Sequence, residues 1–196
     1  PTLTPTVTAT ATATLPQFPT SVVIPITAAV PQPQPRVCDS TWFFIEPRPA
    51  GCPLSAPLAS QAVYQEFQNG YMIWIQHQDA IYVFYNDARL PRWEVHRDEF
   101  DEGEPESDPA YDDAPADNLW QPRRGFGMLW RNNAAVRDRI GWATLQLEQP
   151  YSTQVQTAAD GTLFMRAADG AVFSASPGGQ TWGRYSGTIG YGGSTP

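Results

Sequence analysis

Lysine is absent from this chain, and all 12 basic residues are arginine. This reads as codon bias, since a functional demand seldom excludes every lysine. No charged residue precedes Arg36, and no stretch builds the basic face that nucleic acid requires. No run of about 20 apolar residues is present to cross a bilayer, so membrane insertion of this chain is not expected. There are only two histidines and two cysteines. No Gly-x-Ser-x-Gly elbow occurs, which removes the commonest presentation of a serine nucleophile. No Asn-x-Ser/Thr site occurs, so any glycan is O-linked. The chain begins at Pro1 without a basic and then apolar leader. A signal or anchor removed upstream, or one lying outside the given sequence, is therefore the expectation.

What is present begins with threonine at every even position: Thr2, Thr4, Thr6, Thr8, Thr10, Thr12 and Thr14. Period two is the period of an extended strand, so these hydroxyls share one face. A small-residue, uncharged Thr/Pro/Ala segment of this kind is an expected carrier of O-linked glycans. Then Val22, Val23, Ile24 and Ile26 form an apolar, β-branched run broken by Pro25, which confines it to an edge or added strand. Pro31, Pro33 and Pro35 alternate with glutamine and favour a stiff polyproline II spacer. Residues 1–37 are thus read as an extended tail. By composition it also fits a disordered stalk, but the Val22–Ile26 run is too apolar to stay solvated. It is expected to pair with an open sheet edge, of its own domain or, as the stiff spacer favours, of a neighbouring copy of the chain.

From Cys38 the composition becomes that of a folded, mainly β domain with many turns. The pair Cys38 and Cys52 points to a disulfide worth about 3 kcal/mol for a loop of this size. Free thiols or a metal pair are the alternatives, and two cysteines without a nearby histidine make a poor zinc site. Thr41–Ile45 is a short strand candidate. Tyr71–Gln76 and Ala80–Tyr85 read as a hairpin turning at His77-Gln78-Asp79, and Thr162–Arg166 with Ala171–Ser174 as a second one. Met128 to Ile140 is the one helical stretch, with Asn132 or Asn133 capping its second half and Gly141 ending it. Residues 187–196 are a Gly/Ser-rich C-terminal tail.

Residues near 52–93 and 141–182 repeat an order of features. Cys52, Gly70, Met72, Trp74 and Trp93 answer to Gly141, Gly161, Leu163, Met165 and Trp182. Met72/Trp74 and Leu163/Met165 are expected to face one core. The stretches Phe67-Gln68-Asn69-Gly70 and Arg139-Ile140-Gly141-Trp142-Ala143 resemble the LGFP repeats of bacterial cell-wall proteins, although Trp142-Ala143 stand where that family carries proline. Residues 50–182 also resemble Thr/Pro-stalked surface proteins of filamentous bacteria. The resemblance implies an exported envelope role and no activity.

The net charge of −8 is concentrated, because ten of the 20 acids lie in the Pro-broken loop 98–117. That loop reads as hydrated, with Ca²⁺ binding as the alternative; it lacks the alternating Asp spacing of a calcium loop. A metal site at His96, Asp98 and Asp101 is conceivable, but an ordinary histidine beside a solvated loop is the simpler reading. Paired carboxylates for glycoside hydrolysis are open in principle. Trp93 and Trp120 flank the acidic loop and are the expected exposed, sugar-stacking pair. Trp42, Trp74, Trp130, Trp142 and Trp182 sit in core patterns. No catalytic residue, cofactor or metal is assigned. The expectation is a structural subunit of an extracellular bacterial fibre or surface assembly, its tail docking head-to-tail on the next copy. The alternative is a cell-wall or carbohydrate-binding module on a Thr/Pro stalk.

Overall fold

A computed structural model describes residues 38–186. Eight antiparallel strands form one nearly closed, barrel-like sheet in the order β4-β3-β2-β1-β5-β6-β7-β8. The first half comprises β1 (Leu58–Phe67), β2 (Gly70–Ile75), β3 (Ala80–Tyr85) and β4 (Trp93–Arg97). The second comprises β5 (Gln149–Thr157), β6 (Leu163–Arg166), β7 (Val172–Ala175) and β8 (Trp182–Tyr185). Each half is a meander, and β1 pairs with β5 to join them.

Both expected hairpins are present. The first turns through a 3-10 helix over Gln76–Gln78, with Asp79 left-handed at φ 49°. The two halves share an order of strands, but their structural match is not that of the sequence alignment. Tyr64 pairs with Ile73, Ile73 with Tyr82, and Phe84 with Trp93. In the second half Val155 pairs with Met165, Met165 with Phe173, and Ala175 with Trp182. Ile73 therefore matches Met165, so Met72 and Trp74 lie on the opposite face from Leu163 and Met165. Between the paired residues, Val155 and Met165 enclose one residue more than Tyr64 and Ile73 do, and a one-residue slip reverses the face of a strand. Cys52 and Gly141 do not match either; one closes the disulfide and the other caps a helix.

Alternate residues of the strands point inward. Tyr64, Ile73, Tyr82, Phe84, Val155, Met165 and Phe173 fill the interior with Trp93 and Trp182 packed against them. The outer face of the first half is covered by two short helices, α1 (Arg124–Asn132) and α2 (Ala134–Ile140), where one had been expected. Asn133 breaks the helical backbone at ψ 93° and its side chain accepts from the Val136 N–H, so it caps α2. Phe126/Trp130 and Val136/Ile140 are i,i+4 pairs that face Phe67, Met72, Ile81, Val83 and Tyr85. Trp130 is fully buried and donates to the Gly141 carbonyl at 2.7 Å.

The Cys38–Cys52 disulfide is formed, with Cα atoms 5.5 Å apart. Its loop covers the outer face of the second half, where Phe43 and Phe44 pack on Ala158, Phe164 and Val172. Thr41–Ile45 is not a strand. Its backbone bonds with the side chain of Gln156 instead of with a sheet edge.

The two ends of the sheet meet where β4 and β8 begin. Trp93 Nε1 donates to the Ser176 carbonyl at 2.9 Å, and Trp182 Nε1 donates to the Tyr85 carbonyl at 2.7 Å. Tyr85 and Ser176 follow the matched residues Phe84 and Ala175, so each half's closing indole bonds to the same place in the other half. Arg92 N donates to the Gly179 carbonyl at 2.7 Å. Gly179 sits at φ +70°, and a Cβ there would lie 2.7 Å from Pro91 Cβ and 2.8 Å from the Trp93 carbonyl oxygen. Only glycine permits this approach. Arg139 of α2 braces the same corner. It lies 3.7 Å over the Tyr85 ring, pairs with Asp87 at 2.6 Å, and donates to the Arg89 and Pro91 carbonyls. Trp93 is therefore part of the closure and not an exposed sugar platform.

Trp182→Phe keeps an aromatic ring but strands the Tyr85 carbonyl. It is expected to lower unfolding free energy by about 1–3 kcal/mol in urea denaturation, and Trp93→Phe to act in the same direction. Changes within about 0.5 kcal/mol for both variants, the usual scatter of a neutral surface change, would contradict the closure.

Candidate functional site

The outward face of β1 and β2 is not wholly covered by the helices. Two adjoining hollows of about 270 and 530 Å³ open there, and both are lined by Val63, Glu106, Arg124 and Glu148. Val63 and Trp74 are direct cross-strand neighbours on its floor. Phe100 from the acidic loop and Phe126 from α1 add aromatic wall to the larger hollow. Gln65, Leu147 and Pro150 line the smaller.

The acidic loop is not simply hydrated. It has no strand or α-helix, as expected, but Arg131 of α1 donates to the Pro105 and Glu106 carbonyls and Arg124 pairs with Glu106 at 2.9 Å. Tyr111 packs edge-on against Trp130. These contacts hold the loop as one wall of the cleft. Arg124 itself has φ 46°, a left-handed conformation unusual for a residue with a side chain. Beside it, Gly125 lies so near the Asp98 carboxylate that a Cβ would collide with both oxygens.

Three buried polar atoms lining these hollows have no hydrogen-bond partner among the described residues: Gln65 Oε1, Trp74 Nε1 and Glu148 Oε1. Each costs free energy as an unpartnered buried polar group. Burial pushes the Glu148 carboxyl up to about 7; Arg124 and Arg123 pull it down, while Glu106 and Asp98 push it further up. Burial also raises Asp98, against the N–H of Phe100 that it accepts. The site thus holds two carboxyls raised by burial, an indole, a side-chain amide and aromatic walls.

The site includes Trp74, which the sequence placed in the core, and Asp98. It also includes Gln65 and Glu148, which sequence reasoning passed over: neither belongs to a recognisable motif. His77 is exposed in its turn, and His96 pairs with Glu94 at 3.2 Å and not with Asp98 or Asp101. Among the described residues no group of three or more His, Cys, Asp or Glu has metal-ligand geometry. Trp120 is half-buried, in a backbone bridge to Ala143. Phe67–Gly70 and 139–143 do not occupy repeated positions; they bond to each other, Gln68 N to the Trp142 carbonyl and Asn69 N to the Ile140 carbonyl, both at 2.9 Å. Thr2 to Thr14 and the docking candidates Val22, Val23, Ile24 and Ile26 lie outside the described residues. No family model, curated protein or solved structure matches this chain.

Because Glu148 is raised from 4.5 to about 7, the native protein between those pH values holds a proton that the unfolded chain has released. Stability falls as pH rises through that window. Glu148→Gln fixes the neutral form and is expected to flatten the fall, stabilising the protein at pH 8 by on the order of 1 kcal/mol once partial exposure is allowed for. Thermal melts of both proteins from pH 4 to 8 check this; parallel curves would contradict it.

Proposed function

We propose that the folded domain is an extracellular carbohydrate-binding module that takes a neutral glycan in the cleft over β1 and β2. The observation that carries this reading is that Trp74 and Glu148 line the same aromatic-walled hollow, and each holds a polar atom beneath it without a partner among the described residues. A sugar hydroxyl both donates and accepts, so it suits an indole N–H and a carboxyl together, while ring faces stack on aromatic side chains. The rim carries Asp98, Glu102, Glu104 and Glu106 against Arg124, which favours neutral ligands over polyanions. The disulfide fits a protein that folds in an oxidising compartment. No described helix is long and apolar enough to cross a membrane. The Thr/Pro segment ahead of Cys38, with O-glycans on its threonines, would serve as the stalk.

Binding without turnover is the proposed outcome. The LGFP likeness in sequence supports a cell-envelope setting for the same reading.

Titration calorimetry against neutral oligosaccharides, including β-1,4-linked glucose and N-acetylglucosamine chains, tests the proposal. Trp74→Phe, which keeps a ring and removes the N–H, is expected to weaken binding about tenfold. If none of these sugars binds at millimolar concentration, or Trp74→Phe binds as the parent does, the reading fails.

A further inference from the structure

The two hollows share Val63, Glu106, Arg124 and Glu148, and Arg124 is the one cation of the four. Its side chain is 61% exposed, so a ligand in either hollow can reach it. Its backbone is held at φ 46°. A residue with a Cβ keeps that left-handed conformation only where its surroundings impose it, at a cost in stability. Glycine carries such a φ freely. A glycine does follow, but Gly125 answers a different need, since the Asp98 carboxylate leaves no room there for a Cβ. The strained position itself holds an arginine.

Glu106 fixes what that arginine presents. The Arg124 N–H donates to the Glu106 carbonyl at 3.0 Å, and Nε donates to Oε1 of the same residue at 2.9 Å. Neither Nη of Arg124 makes a hydrogen bond among the described residues. By contrast Arg139 spends Nε and both Nη on Asp87, Arg89 and Pro91. Arg124 therefore keeps the outer edge of a planar donor fork free where the two hollows join. The Glu106 carboxylate offsets its charge, so the fork acts on a ligand as paired, directed donors. Two adjacent hydroxyls of a sugar ring offer the matching pair of acceptor oxygens on a neutral molecule.

We infer that Arg124 is the specificity-determining residue of the cleft, donating to adjacent free hydroxyls of a neutral oligosaccharide that runs through both hollows. This rests on the glycan reading and adds to it the length of the ligand and the group that is read. It also gives the strained backbone a reason, because an arginine kept only for the fold would be better replaced by glycine here. β-1,4-linked glucose keeps adjacent free hydroxyls on every unit. N-acetylglucosamine carries an acetamido group at one of those two positions and is the poorer match.

Calorimetry with monomers and tetramers of both sugars, together with thermal melts, tests this. The parent is expected to bind the glucose tetramer about tenfold or more tighter than glucose and than the N-acetylglucosamine tetramer. Arg124→Gly should lose about tenfold on the glucose tetramer yet melt at or above the parent. Arg124→Lys keeps the charge without the fork and should weaken binding to a similar degree. The inference is overturned if the monomer or the N-acetylglucosamine tetramer binds as well as the glucose tetramer. It is also overturned if either variant binds as the parent does, or if Arg124→Gly melts below the parent, which would make Arg124 a brace for the acidic loop. Those results leave the glycan reading standing; a parent that binds none of these sugars ends both.

Discussion

Two indole N–H groups hold the ends of this sheet together. An antiparallel sheet of eight strands whose inner face is apolar must curl so that this face is hidden, and curling brings β4 toward β8. No backbone ladder links those two strands. Trp93 and Trp182 supply the link by donating to Ser176 and Tyr85, while their rings pack on the interior. Trp182 stacks on Phe173 with an interplanar angle of 7° and lies 5.4 Å from Phe84. Each tryptophan thus contributes apolar burial and a directed bond at once. The inner core depends on this seam, and the loops braced by Arg139 and Gly179 are shaped to permit it.

The two halves cover their outer faces differently. Both halves present a buried glutamine outward from the strand that joins them. The second half covers its outer face with the disulfide loop, whose backbone satisfies Gln156. The first half uses two helices and an Arg-anchored acidic loop. These pack well over Met72, Val83 and Tyr85 but leave two hollows beside Val63, Trp74 and Glu148. The proposed glycan site rests on that difference in covering and not on a motif.

Much of the architecture was legible. β3 is buried on both faces, so Ala80–Tyr85 reads as a continuous apolar run. The Gly-containing turn before Val172, the caps at Asn133 and Gly141, and the disulfide were also readable. β1 and β5 were missed because their sequences are rich in Gln, Ser and Thr, and Pro150 stands inside β5. Three of those polar residues, Gln65, Thr153 and Gln156, are buried and bonded to distant backbone carbonyls, which no local pattern reveals. The faces of β2 and β6 were confused because one extra turn residue is invisible without cross-strand register. Trp93 looked exposed because it precedes the acidic loop; its partner Ser176 is 83 residues away. The cleft was illegible for a similar reason, since Glu148 meets Asp98 and Glu106 only through the fold.

The closure is the claim on which the rest stands, and indole hydrogen exchange measures it most directly. In a ¹⁵N-labelled sample the Nε1–H signals of Trp93 and Trp182 should exchange as slowly as that of the buried, bonded Trp130, and all three far more slowly than that of Trp42, whose bond to Gly51 is exposed. If Trp93 and Trp182 instead exchange as fast as Trp42, the ends of the sheet are not joined by these bonds and the account of a closed, two-fold barrel is wrong.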